Sequence, residues 1–179
     1  MQAKSTTYAS LTMGCKSALL SMLIGTLTIA AHAQTLRKPT GPVLLTVSGL
    51  ISQRNAGDSA AFDSAMLNAL PANQIVTKTP WHAAPAKFSG PALKAVLNAV
   101  GAKGKVFRLT ALDKYESSIP TEDIERYDPI LALRMDGKEL NIRNRGPVLL
   151  MYPFDSYPQI DTDVYYGRSV WQLLRIVVE

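Results

Sequence analysis

The groups in this sequence best suited to holding a ligand are aromatic rings and guanidinium groups, on expected loops and at strand ends. Pro80-Trp81-His82 offers a large ring beside an imidazole. Tyr115 closes the triplet Asp113-Lys114-Tyr115. Arg143 and Arg145 stand just before Gly146-Pro147, and Tyr152, Asp155 and Tyr157 flank the end of the apolar run Val148–Tyr152. Rings and guanidinium planes stack on flat ligands, while hydroxyls, imidazoles and guanidinium N–H groups bond a polar ring edge. Loops and strand ends are where such sites are commonly carried. Each group also has a purely structural reading. Trp81 can be a ring at the core edge, Tyr115 a turn cap, Arg143 and Arg145 solvated charges, and His82 an ordinary hydrogen-bonded residue. In Tyr165-Tyr166-Gly167-Arg168 the arginine is the better ligand candidate. Trp171, on an apolar stretch, reads as core, Asp113 as structural, and Glu122, Asp123 and Glu125 as a solvated helix face.

Constellations for catalysis are missing. The chain has one cysteine, Cys15, and two histidines, His32 and His82. Common zinc sites use several Cys or His ligands, which this chain does not supply beyond its N-terminal segment. A Ser-His-Asp triad would have to use His82, and no Gly-x-Ser-x-Gly elbow accompanies it. No Gly-rich phosphate loop with its lysine is found.

The first 33 residues read as a secretory signal. Lys4 and Lys16 precede an apolar run from Ala18 to Ala31, and Ala31-His32-Ala33 presents small residues around a cleavage point. Cleavage after Ala33 removes Cys15 and leaves residues 34–179 as one domain without a thiol. An exported chain without disulfides is expected in a bacterial periplasm, with no stable membrane insertion after cleavage. The net charge of +5 includes Lys4 and Lys16. No basic stripe with interleaved aromatics remains, which argues against nucleic acid as a partner.

The positioning elements follow from periodicity. Strands are expected over Val43–Leu50, Gln74–Lys78, Lys105–Ala111, Ile130–Met135, Glu139–Ile142 and Val148–Tyr152, and around Ile176–Val178. Helices are expected over Ser59–Leu70 and Gly90–Val100, with a short one over Pro120–Tyr127. Pro80 and Pro85 make Thr79–Ser89 read as irregular, and Asp136-Gly137 is a strong hairpin signal. The fold class is α+β, a single domain of mixed strands with two principal helices.

Four pieces in order then resemble the molybdopterin-binding domain of the sulfite-oxidase fold. They are Phe88-Ser89-Gly90-Pro91-Ala92-Leu93, Ala111 to Pro120 around Asp113-Lys114-Tyr115, Ile130 to Leu140 around Asp136-Gly137, and Gly146 to Pro153. The resemblance implies that fold and a pterin-sized pocket. It also exposes departures. Thr77 falls where the family's molybdenum-ligating cysteine would be, and a threonine hydroxyl cannot replace a thiolate. Leu149 stands about where an arginine is expected. Ser169-Val170-Trp171-Gln172 replaces a Ser-Val-Lys-Trp segment whose lysine contacts the cofactor.

What remains resembles a subgroup of small exported proteins that keep the pocket and drop the metal. That subgroup includes periplasmic pterin-binding proteins reporting to membrane signalling enzymes. The resemblance therefore implies a non-catalytic protein that binds a tetrahydropterin-like pterin, with no metal. The expected site comprises Trp81, His82, Tyr115, Arg143, Arg145 and Tyr152, and the expected protein partner is the periplasmic domain of a membrane signalling protein. The alternatives are a molybdopterin-dependent oxidoreductase and an interaction module without a ligand.

Overall fold

A computed structural model describes residues 36–179 and, before them, Gln2 alone. The expected export signal and Cys15 lie outside the described residues. Eleven strands and four short helices alternate along the described chain. β1 (Val43–Gly49), β2 (Ala60–Asp63), β5 (Val106–Ala111), β6 (Glu116–Pro120) and β11 (Leu173–Val178) form a sheet ordered β2-β1-β11-β5-β6. β1 and β11 run parallel; the other neighbours are antiparallel. A second sheet, ordered β3-β4-β8-β9, contains β3 (Ala72–Thr79), β4 (His82–Pro91), β8 (Arg134–Met135) and β9 (Lys138–Glu139). β7 (Ile130–Ala132) pairs with β10 (Leu149–Met151). The helices are α1 (Ser64–Asn68), α2 (Leu93–Ala99), α3 (Thr121–Tyr127) and α4 (Asp163–Arg168). This is the α+β class with a mixed sheet.

Period-two burial builds the core of the larger sheet. Leu45 and Val47 on β1, Phe107 and Leu109 on β5, and Ile176 on β11 are buried. Each such side chain contributes about 1.5–3 kcal/mol relative to an exposed one. β10 is buried on both faces, as its unbroken apolar run implies. The Asp136-Gly137 turn takes positive φ at both residues, the requirement of a tight hairpin. β4 approaches β7 so closely that a Cβ on Gly90 would lie 2.0 Å from the Leu131 carbonyl oxygen. That contact gives the Phe-x-Gly motif its physical reason.

Several expectations are corrected. Ser59–Leu70 is not one helix: Ala60–Asp63 pairs with β1, and only Ser64–Asn68 is helical. Asp63 makes the change of direction. Its Oδ1 accepts from Met66 N at 2.8 Å, and its Oδ2 accepts from Thr40 N at 2.7 Å and Gly41 N at 3.0 Å. These bonds pull its carboxyl down to about 2. Thr79–Ser89 belongs to a β-hairpin rather than an irregular stretch. The ladder is irregular between Thr77↔Ala86 and Thr79↔His82, and Pro85 falls in that irregularity, where its missing N–H is tolerated. The second helix begins at Leu93, because Gly90 and Pro91 complete β4. The returning strand after Asp136-Gly137 is only Lys138–Glu139, followed by a 3₁₀ turn at Ile142–Asn144. Glu116–Pro120, not expected as a strand, is the edge strand β6.

Candidate functional site

Four connections meet beside the end of β11. They are the Pro80-Trp81 tip between β3 and β4, the β5–β6 turn at Leu112–Tyr115, the loop from Ile142 to Arg145, and the Gly167–Gln172 junction between α4 and β11. Gln172 ties three of them. Its carbonyl accepts from Leu112 N at 3.0 Å, its N–H donates to the Arg145 carbonyl at 2.9 Å, and its side-chain amide donates to the Ile142 carbonyl at 2.9 Å. Tyr115 closes the ring of contacts by donating from its hydroxyl to the Gly167 carbonyl at 2.9 Å. Gly167 leaves room for it, since an added Cβ would meet that hydroxyl at 3.2 Å. Three of the five non-glycine residues with positive φ among the described residues, Lys114, Arg145 and Gln172, lie in these connections. Strained backbone of this kind is often concentrated at binding sites.

The β5–β6 turn and the α4–β11 junction line a cleft of about 450 Å³, within the range of small-ligand pockets. Asp113, Tyr115, Tyr166, Gly167, Trp171 and Gln172 are among the residues that line it. Trp171 is 40% exposed, against the expectation that it is core. Arg145 backs it, with the guanidinium carbon 4.5 Å from the ring centroid. Trp81 meets the same ring edge-on at 5.4 Å and packs edge-on against Tyr166 at 5.9 Å. His82 lies beyond, with Nδ1 2.7 Å from Thr79 Oγ1 and Nε2 3.4 Å from Arg145 Nη1. Arg145 is a permanent donor, so this arrangement favours the tautomer in which Nδ1–H donates to Thr79 and Nε2 accepts. Burial first, and the Arg145 cation second, lower the affinity of His82 for a proton. Two buried donors in this cluster, Trp81 Nε1 and Arg145 Nε, have no acceptor among the described residues. Buried N–H groups are rarely left so.

The expected site residues therefore separate. Trp81, His82 and Arg145 form the wall behind Trp171, and Tyr115 lines the cleft itself. Arg143 is exposed, and its side chain makes no hydrogen bond among the described residues. Tyr152 is withdrawn: it is fully buried, and its hydroxyl donates to Asp123 Oδ2 at 2.9 Å. Burial, then the Asp123 charge, raise its pKa far above the ordinary phenol range. Asp123 is not on a solvated face, being only 4% exposed. Arg168 bonds the same carboxylate oxygen at 2.8 Å, so its guanidinium is committed inward. Sequence reasoning missed Trp171, Tyr166, Gly167 and Gln172 as cleft residues and assigned Asp113 to structure. The available signal was Ser169-Val170-Trp171-Gln172, which replaces a segment whose lysine contacts the cofactor.

The family model described as oxidoreductase molybdopterin binding domain matches residues 41–155. The chain belongs to this family. Among solved structures it is similar to the sulfane dehydrogenase SoxCD of Paracoccus pantotrophus, with a TM-score of 0.55 and 17% identity. That similarity covers 75% of this chain and 37% of the SoxCD chain, so this protein spans about a third of that chain. No curated protein matches it. The sulfite-oxidase-type fold expected from the four motifs is the fold observed.

The family implies a molybdopterin-related ligand, but the residues present do not fit the complete metal cofactor. Thr77 is fully buried. Its hydroxyl accepts from Asp155 N at 3.0 Å and donates to the Lys78 carbonyl at 3.1 Å, so its capacity is spent on the fold. No group of three or more His, Cys, Asp or Glu residues among the described residues could hold a metal ion. The cleft lining contains a carboxylate, Asp113, and no lysine or arginine among the described residues. A phosphate-bearing, dithiolene-bearing pterin would bring several negative charges to a cleft without a matching cation.

Proposed function

We propose that this protein is an exported, non-catalytic binding protein for a metal-free pterin, which signals by contact with the periplasmic domain of a membrane protein. The observation that carries this reading is the cleft. It is lined by a partly exposed tryptophan whose ring carries the Arg145 guanidinium, by one carboxylate and, among the described residues, by no thiolate or cationic side chain. A neutral, flat, polar bicyclic ring suits those groups: it stacks on Trp171 and needs no counter-charge. Trp81 Nε1 and Arg145 Nε are unpaired N–H groups buried behind the platform, outside the cleft lining. His82 and Thr79 hold the Arg145 side of the wall. Leu112 and Ile142, 50% and 60% exposed, are tied to Gln172 at the edge of the cleft. Apolar side chains beside a ligand site suit a partner that senses occupancy.

Mass spectrometry and metal analysis of protein purified from its native compartment test this reading together. A pterin without stoichiometric molybdenum is the expected result. Stoichiometric molybdenum would establish the oxidoreductase reading instead, and protein that neither carries nor binds a pterin would leave only the interaction module. Titration calorimetry on Trp171→Ala supplies the site-specific arm, with a loss of at least about tenfold in pterin affinity expected from removing the stacking face.

A further inference from the structure

Gln172 is a backbone junction at one end of β11, and three exposed apolar side chains stand on the segments it joins. Leu112 N donates to its carbonyl, its side-chain amide donates to the Ile142 carbonyl, and Leu174 lies two residues further along the chain. Leu112, Ile142 and Leu174 are 50%, 60% and 38% exposed. Register explains two of the three. On β5, Phe107, Leu109 and Ala111 face the core, so Leu112 continues the opposite face that Arg108 and Thr110 begin. β11 pairs Leu173 with Ala111 and Arg175 with Thr110, and the ladder shifts between those pairs. Leu174 is the extra residue of the shift, which leaves Leu174 and Arg175 exposed in succession. Single exposed apolar side chains are ordinary, but three on segments meeting at one residue form a patch.

The cations of the same segments stand without partners. Lys114 is two residues from Leu112, Arg143 follows Ile142, and Arg175 follows Leu174. All three are exposed, and none forms an ion pair among the described residues, whereas Arg108, Arg134 and Arg168 each do. Two carboxylates share these segments. Asp113 accepts from Tyr115 N and lines the cleft. Glu116 stands two strands from Arg175, across Thr110, a separation of about 9–10 Å that is too long for an ion pair. We infer that this face is the docking surface for an acidic protein partner, one that sets Asp or Glu side chains around an apolar centre. This rests on the signalling part of the proposed function and adds to it the place and the chemistry of the contact. An anionic membrane fits less well. Three separated cations fall short of the basic clusters that hold such surfaces, and Asp113 and Glu116 would face the lipid phosphates. Trp171 immediately precedes Gln172, so the stacking face and the docking surface share one backbone segment.

A photo-crosslinking amino acid at Ile142, introduced into the full chain in its native cells, identifies the protein that touches the patch. Val76, exposed on β3, is the control position. The soluble domain of the crosslinked protein is then purified and titrated. It should bind the unmodified protein, and the affinity should fall steeply between about 0.05 and about 0.5 M salt. Arg143→Glu with Arg175→Glu should weaken it at least about tenfold. Lys94→Glu with Lys103→Glu makes the same charge change on α2 and near the far end of β11, and should leave it within about threefold. Equal crosslinking at Ile142 and Val76, or equal losses from the two charge reversals, overturns the docking surface. Binding of the unmodified protein to phosphatidylglycerol vesicles, with no protein adduct at Ile142, overturns it in favour of a membrane contact. The salt dependence of the unmodified protein decides the charge complementarity even if a variant does not fold. Arg143 and Arg175 do not line the cleft, so pterin affinity should be unchanged in their double variant. Docking by a protein that binds no pterin overturns the ligand reading and upholds the docking surface.

Discussion

Two aromatic and arginine clusters lie within one ring of each other, and they are built to opposite ends. In the closed one, Tyr152 and Arg168 both donate to Asp123, and Tyr127 and Tyr165 pack edge-on around Tyr152 at 6.5 and 5.5 Å. Neither Tyr152 nor Asp123 has a fully buried polar atom without a partner among the described residues. In the open one, Arg145 lies over the Trp171 ring and Trp81 meets that ring edge-on, with two buried N–H groups unpaired. Phe154 touches both, with its ring 6.4 Å from Tyr152 and 6.5 Å from Trp81. Both clusters set an arginine among aromatic rings, and the closed one adds the Asp123 carboxylate. The difference is in satisfaction: a cluster that completes its own hydrogen bonds is part of the core, and one that does not has capacity left for a ligand.

The largest effect should come from breaking the closed cluster. Asp123→Ala leaves the Tyr152 hydroxyl and the Arg168 guanidinium without their acceptor inside the protein, and should cost about 3–5 kcal/mol in denaturant unfolding. Ligand affinity of the fraction that remains folded should not change. A loss below about 1 kcal/mol would mean that the triad is not a sealed centre. Trp171→Ala should behave in the opposite way, because its ring is partly exposed. Stability should fall by no more than about 1 kcal/mol, while pterin affinity falls at least about tenfold. If the two variants lose stability equally, the distinction between closed and open clusters fails.

A smaller effect tests the strain stored around the cleft. Lys114 holds a left-handed conformation that a β-carbon disfavours by about 1 kcal/mol. Lys114→Gly removes that cost and should raise stability by about 0.5–1 kcal/mol, measured by the urea midpoint. Unchanged stability would indicate that the strain is relieved elsewhere in the turn.

Much of the fold was legible because its signals are local. The run Val148–Tyr152 announces a strand buried on both faces, and Asp136-Gly137 announces a turn needing positive φ. Where tertiary pairing opposed a local signal, the pairing won. Phe62, Met66, Leu67 and Leu70 have helical spacing, yet Phe62 belongs to a strand because Ala60–Asp63 pairs with β1. Pro85 reads as a breaker but occupies the irregular part of a ladder. The site was less legible, because satisfaction is a property of pairs far apart in sequence. Nothing near Tyr152 shows that Asp123, 29 residues away, takes its hydroxyl. Nothing near Trp171 shows that an arginine backs its ring and a cleft opens beside it. Trp81, His82 and Arg145 could be nominated by type, but their common meeting point could not. The family match ends at residue 155, so Tyr166 to Gln172, one side of the cleft, lies outside the matched stretch.

The mildest perturbation of the open cluster is protonation of His82, the one histidine among the described residues. The folded protein holds it neutral, chiefly by burial and then by the Arg145 cation, with Asp136 opposing. Its affinity for a proton is therefore lower folded than unfolded, where it titrates near about 6.5. The stability it contributes is fully present above that value and is lost as pH falls through it toward the folded value. Protonation also removes the Nε2 acceptor facing Arg145 Nη1 and places a second cation beside the guanidinium that backs Trp171. Lowering pH from about 7 to about 5 should thus reduce both the unfolding midpoint and pterin affinity, ahead of most carboxylate titration. His82→Asn retains a donor for Thr79 and cannot become charged, so its midpoint should change less over the same interval. An equal acid loss in both proteins would move the pH sensitivity away from the open cluster.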